Sequence, residues 1–222
     1  MNISELHLFT GSVSSLKKFY SDVLGLEITA LKNNKIEIKV GSTGLIFIEE
    51  PGSNPYYHYA INIPHNHISG AIEWLEPKVN LIENNGSPII DFPNWNAHSV
   101  YFYDPAGNIV ELIARHNLEN ASDEPFSPES LLNISEVGMP VDNVKEFHDK
   151  ITESLGEKLW WGNLETFAAI GDQNGLFIVA TKNRNWFPTD KPCNEYPLTV
   201  KIKRPENESE VFKNSSYYII SK

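Results

Sequence analysis

Tyr101-Phe102-Tyr103-Asp104-Pro105-Ala106-Gly107-Asn108-Ile109-Val110-Glu111-Leu112 reads as two strands joined by a tight turn. Pro105 pre-sets its own φ, Gly107 accepts a left-handed backbone, and Asp104 and Asn108 can bond nearby main chain, so the five residues between the strands are turn formers. Glu111 stands among Ile109, Val110 and Leu112, where an isolated buried carboxylate would protonate rather than stay charged. A bound cation satisfies it, and so does a hydrogen bond from a tyrosine or the backbone.

Working outward from this hairpin, the same order of elements occurs twice before residue 118. Residues 3–9 alternate so that Ile3, Glu5, His7 and Phe9 share one strand face. Ser12 is the expected helix cap. Val13, Leu16, Phe19, Tyr20, Val23 and Leu24 then recur at helical spacing until Gly25. Three strands follow, near Leu26–Leu31, Lys35–Val40 and Leu45–Ile48, with Gly41-Ser42-Thr43-Gly44 turning the last pair. The second round opens with a strand at His58–Ile63 and a helix from about Ile68 that carries Ile72, Leu75, Val79 and Ile82 inward. Pro77 is expected to kink or divide it. The hairpin quoted above closes that round.

Residues 119–130, rich in Pro and acidic side chains, read as a linker, after which the start repeats. Asn2-Ile3-Ser4-Glu5 returns as Asn133-Ile134-Ser135-Glu136, and Gly44-Leu45 returns at the same offset as Gly175-Leu176. Asp142 takes the cap position, and Val144, Phe147, Ile151 and Leu155 form the matching helix stripe up to Gly156. The remainder, with strand-like Leu198–Ile202 and Tyr217–Ile220, is too short for a complete fourth round. The expected organisation is α+β: paired βαβββ modules in 1–118, a linker over 119–130, and an incomplete, degenerate second copy over 131–222.

Composition narrows the partners. A formal charge of −11 over 222 residues, with no basic stripe, disfavours nucleic acid and anionic lipid. No apolar run reaches the ~18 residues of a membrane span, and the first residues enter an alternating strand instead of a secretory leader. Cys193 is the only cysteine, which excludes an intrachain disulfide and fits a reducing, cytoplasmic setting. Its surroundings, Asp190-Lys191-Pro192-Cys193, carry no nucleophile signature, and its expected role is structural.

The helix Ser15-Leu16-Lys17-Lys18-Phe19-Tyr20-Ser21-Asp22-Val23-Leu24-Gly25-Leu26 and the Tyr101–Leu112 hairpin together resemble the two most recognisable stretches of the glyoxalase/bleomycin-resistance/extradiol-dioxygenase (vicinal oxygen chelate) superfamily. The resemblance covers 1–118 well and 131–182 moderately. It implies modules curled into a half-barrel cup, with metal ligands projecting inward from first and last strands. Carried over by position, it places ligands at Glu111, at His58, and on the first strand at Glu5, with His7 on the same face as the alternative. The equivalent place on the last strand of the first module falls near Phe47, which cannot bind metal. In the second copy Glu136 matches Glu5, while Leu198 or Thr199 stands where His58 is expected; this copy is expected to pack alongside or to support a homodimer.

Glu5, His58 and Glu111 offer one imidazole and two carboxylates; His7 in place of Glu5 gives the two-histidine, one-carboxylate set favoured by non-haem iron(II). The implied cofactor is a divalent metal, whether Fe, Mn, Ni or Zn. Two functions follow from the resemblance. One is a metal-dependent enzyme, a dioxygenase or a lyase/isomerase, acting on a small oxygen-rich or aromatic molecule, with the dioxygenase-like set slightly favoured. Glu5 and His98 are its candidate acid/base residues. The other is a metal-free binding or resistance protein with an aromatic crevice. Tyr56, Tyr57, Tyr59, Phe92 and Trp95 are expected in pocket walls or in the core, and His65, His67, His116 and His148 at the surface.

Overall fold

The computed structural model describes residues 1–32, 34–182, 184–203 and 210–221. Its first βαβββ module comprises β1 (Asn2–Thr10), α1 (Val13–Lys18), β2 (Ile28–Lys32), β3 (Lys35–Val40) and β4 (Thr43–Glu49). α1 widens into a π turn over Phe19–Val23, and Gly25, at φ +72°, releases the chain into β2. The second module runs through β5 (His58–Ile63), α2 (Ile68–Leu75), β6 (Leu81–Ile82), β7 (Ile90–Phe92), β8 (Ala97–Tyr103) and β9 (Ile109–Arg115). Pro77 does not kink α2 as expected but follows its end: the helix stops at Leu75, and Ile82 lies in β6.

The third module comprises β10 (Asn133–Val141), α3 (Val144–Leu155), β11 (Leu159–Asn163), β12 (Phe167–Asp172) and β13 (Gly175–Thr181). The cap of α3 is Asn143 rather than Asp142, because its Oδ1 accepts from the Glu146 amide at 3.0 Å. A reduced fourth unit holds β14 (Leu198–Lys203), β15 (Val211–Lys213) and β16 (Tyr217–Ser221), with no helix among its described residues.

The pairing between modules differs from chain order. Two sheets form: a seven-stranded one in the order β15-β16-β14-β1-β4-β3-β2, and a nine-stranded one in the order β11-β12-β13-β10-β5-β9-β8-β6, with β7 beside β8. Module one therefore shares a sheet with the fourth unit, and module two with module three. At the seams, the opening strands run antiparallel, with Glu5 opposite Lys201 in one sheet and Glu136 opposite Ala60 in the other. Both seams shift register at the residue before the glutamate, Ser4 and Ser135. The shift at Ser4 turns Ile3 into the core, away from the face it was expected to share with Glu5 and His7.

The main core lies between one face of each sheet and their helices, with Leu6, Leu16, Phe47, Tyr59, Phe102 and Val137 among its buried members. A second apolar cluster, including Ala60, Tyr101, Ile113, Ile178 and Trp186, lines the opposite face of the nine-stranded sheet. The two recognisable sequence stretches are bonded to each other. Asp104 accepts from the amides of Ala106 and Asn108 at 2.9 and 3.0 Å through Oδ1, and from Asn108 Nδ2 and the Tyr20 hydroxyl at 2.7 and 2.9 Å through Oδ2. Asn108 in turn accepts from the Tyr57 amide at 2.8 Å. This network sets where β5 begins, and so where His58 sits. No helix among the described residues is long and apolar enough to cross a membrane.

Candidate metal centre

Strand geometry alone gathers the central groups. Ala60 faces Glu111 across the parallel β5–β9 pair and Glu136 across the antiparallel β5–β10 pair. His58, two residues before Ala60, projects from the same face. Adjacent strands lie ~4.8 Å apart, so two carboxylates flank a methyl-sized gap with the imidazole beside it. Gly138 completes the packing: a Cβ there would meet the Trp186 ring at 2.7 Å. Glycine thus lets Trp186 lie against His58, with ring centroids 5.1 Å apart.

His58 Nε2 lies 3.6 Å from Glu111 Oε2 and 4.0 Å from Glu136 Oε2. All three side chains are buried, and their facing atoms lie within 4.8 Å of one another, the one such group of three among the described residues. Each holds its other polar atom on a separate partner. His58 Nδ1 is 3.2 Å from the Ile109 carbonyl, which can only accept, so Nδ1 carries the proton and neutral Nε2 presents a lone pair. Glu111 Oε1 accepts from Ser99 Oγ at 2.6 Å, and Glu136 Oε1 accepts from Arg115 Nη2. Arg115 is itself fully buried, donates through Nε to Asn62 Oδ1 at 3.1 Å, and lies over the Trp95 and Trp160 rings at 5.4 and 5.9 Å.

Electrostatics follow from this crowding. Burial pushes the His58 pKa down, so the ring stays neutral even though the Glu136 charge pulls the other way. Burial, reinforced by the Glu111 charge, pushes the Glu136 pKa up to about 7. Glu111 is also raised by burial, against hydrogen bonds from Ser99 and Tyr101 that favour its anion. The Tyr101 phenol, buried beside both carboxylates, is held far above its ordinary range and remains a proton donor toward Glu111.

Above this floor lies a cavity of about 400 Å³ walled by Phe92, Trp95, Trp161, Phe167, Trp186 and Phe187. Its size suits a small molecule. Ile178 of β13 also lines it, so the last strand of module three contributes an apolar group.

The structure brings His58 and Glu111 together and separates Glu5 and His7 from them. β1 belongs to the seven-stranded sheet, where Glu5 Oε2 lies 2.6 Å from His7 Nε2 and 2.7 Å from Lys201 Nζ. An ammonium group from β14 thus sits beside the glutamate, and the second carboxylate next to His58 is Glu136. The residues expected to act together within 1–118 thus lie in two sheets: β5 takes β10 as its antiparallel neighbour, and β1 takes β14. His98 is also displaced. Alternation along β8 turns it away from Ser99 and Tyr101, and its Nδ1 lies 2.7 Å from His116 Nε2, with Asp91 3.7 Å from its Nε2. Sequence reasoning passed over Arg115, Trp186 and Arg184, and took Glu136 only as the counterpart of Glu5 in a copy expected to pack or dimerise. Only Glu136 carried a signal, the repeated Asn-Ile-Ser-Glu.

The sequence model of the glyoxalase/bleomycin resistance protein/dioxygenase superfamily matches residues 2–112. Among solved structures, a putative dioxygenase from Bacillus subtilis aligns over 100% of this chain and 85% of its own, at a TM-score of 0.67 and 13% identity. Glyoxalase I from Zea mays aligns over 99% of this chain and 91% of its own, at a TM-score of 0.59 and 12% identity. At such identities the likeness is one of fold. No curated protein matches the sequence.

Proposed function

Because the chain belongs to the glyoxalase/bleomycin resistance protein/dioxygenase superfamily, we propose that it is a metal-dependent enzyme in which His58, Glu111 and Glu136 hold a divalent cation at the floor of the aromatic cavity. The observation that carries this reading is the division of labour in each side chain, one polar atom tied to Ile109, Ser99 or Arg115 and the other turned toward a common point. Three oxygen and nitrogen donors fit a divalent metal, and the two carboxylates with a single imidazole favour a hard Lewis acid over the two-histidine iron(II) set that His7 would have completed. Bound there, the metal would supply Lewis acidity toward two neighbouring oxygens of a substrate and stabilise negative charge developing on them.

The chain's own groups fit that chemistry. The Trp95, Trp161 and Trp186 rings offer apolar walls to a small ligand. Tyr101 keeps its proton and fixes Glu111. Glu136, held by Arg115 through Oε1, would present Oε2 to the cation once its proton has left. The reading is therefore of Lewis-acid chemistry of the lyase or isomerase kind, ahead of dioxygen chemistry, on a small molecule with adjacent oxygens, and it rests on the two-carboxylate, one-imidazole donor set.

A second reading rests on Arg115. Its buried guanidinium partly neutralises the carboxylate pair without any metal, which suits a metal-free binding cup. Elemental analysis of protein purified without chelator separates the two, with His58→Ala, Glu111→Ala and Glu136→Ala as comparisons. The enzyme reading expects one equivalent of metal, lost in all three variants. No uptake of Mn, Fe, Ni or Zn on reconstitution would leave the binding cup.

A further inference from the structure

The lip of the same cavity carries a charge that the floor does not use. Arg184, on the loop after β13, lines the cavity next to Phe167, Trp186 and Phe187. Its guanidinium carbon lies 5.1 Å from the centre of the Phe167 ring, and no carboxylate among the described residues pairs with it. The acidic groups near the start of the loop are taken: Lys182 Nζ reaches Asp142 Oδ2 at 2.9 Å and also binds Glu195. Asp91, the carboxylate on the rim, is 62% exposed and lies 3.7 Å from His98 Nε2. In a chain with 29 acidic and 18 basic residues, an arginine left on an aromatic ring at a cavity mouth stands apart.

The loop is also fixed in place. The Arg184 carbonyl accepts from the Cys193 amide at 2.6 Å, and the Trp186 amide donates to the Lys191 carbonyl at 2.8 Å. Tyr56 donates to the Pro192 carbonyl at 2.7 Å, and Lys191 Nζ donates to the Gly107 carbonyl at 2.7 Å. These bonds tie the loop to the approach to β5 and to the β8–β9 turn. Arg184 is therefore held at the mouth by the same segment whose Trp186 touches His58.

We propose that Arg184 binds an anionic group of the ligand, so that this cavity takes small apolar or aromatic acids, with the carboxylate at the lip and the rest of the molecule directed to the floor. A guanidinium presents paired N–H donors that match a carboxylate, and it sheds water readily onto an aromatic face. The apolar walls lower the local dielectric and strengthen the pairing. The net charge of −11 opposes the approach of any anion, so acid binding needs such a local cation. The proposal rests on the reading of this cavity as the ligand site and not on the presence of metal.

Isothermal titration with 2-naphthoate and its near-isosteric neutral counterpart 2-naphthamide tests it, on chelator-treated and on metal-loaded protein, with metal content measured separately. The acid is expected to bind at least about tenfold more tightly than the amide in both forms. Arg184→Gln is expected to remove that preference by weakening the acid while leaving the amide unchanged, and Arg184→Lys to keep part of it; near-ultraviolet circular dichroism checks the fold of both. Failure of wild-type protein to bind the acid, equal binding of the two probes, or a preference that survives Arg184→Gln would overturn it. A preference confined to metal-loaded protein and untouched by Arg184→Gln would place the carboxylate on the metal, which also overturns it. Absent metal with the preference intact refutes only the metal reading, whereas bound metal without the preference refutes only this one.

Discussion

The Tyr20 hydroxyl donates to Asp104 Oδ2 at 2.9 Å, joining the first helix to the β8–β9 turn across 84 residues of chain. Both groups are fully buried, and Tyr20 also bonds the Tyr59 hydroxyl on β5. Tyr20→Phe keeps the ring and loses this link, at an expected cost of ~1–2 kcal/mol. Asp104→Ala also strips the acceptor from two turn amides and from Asn108, and is expected to cost ~3 kcal/mol or more. Urea denaturation of the two variants measures the order. Equal losses would mean that the turn does not depend on the carboxylate.

Ser99 has no atom of its own at the shared point, yet it holds Glu111 Oε1 at 2.6 Å. Ser99→Ala frees that carboxylate to rotate or to protonate. Metal affinity is expected to fall ~10–100-fold, as for loss of a partner that orients a ligand. Competition titration against a chelating dye reads the change, and Glu5→Ala, in the other sheet, should leave the affinity unaltered.

Proton competition gives a pH dependence with a definite sign. Glu136, pushed up to about 7, and Glu111, which burial also raises, form a pair that holds a proton below neutrality, and this proton must leave before a cation can take its place. Apparent metal affinity should therefore rise with pH, by up to tenfold per unit below about 7, and level off above it. His58, pushed down by burial, adds its own loss only at lower pH. Titrations at several pH values, with proton release measured in two buffers, check this. A flat pH dependence near neutrality, or no proton released on binding there, would overturn the assignment.

Cys193 is fully buried, and burial raises its thiol to about 12. Almost no thiolate exists at pH 8, and reagent cannot reach the sulfur. Iodoacetamide is expected to leave the native protein unmodified over hours and to label it once denatured in guanidinium. Rapid labelling of native protein at a rate matching free cysteine would show that the Arg184–Cys193 loop opens.

Local patterning in the sequence determined the modules. The period-two run at β1, the helical stripe from Val13 to Leu24 and the Asp104–Asn108 turn are decided by near neighbours, and each is readable without the rest of the chain. His58 and Glu111 were legible for the same reason, since both sit at fixed places within one module. The second carboxylate of the group was not. Glu5 and Glu136 close the same tetrapeptide, on opening strands of equal length, and alternation assigns both to a sheet face without saying which sheet edge each strand will meet. That choice belongs to tertiary structure. β10 pairs with β5 and β1 with β14, contacts between residues far apart in sequence, fixed by which faces bury one another. The pairing gave Glu136 the His58 imidazole as a neighbour and gave Glu5 the Lys201 ammonium, so two identical local sequences became a candidate metal ligand and a half-exposed ion pair.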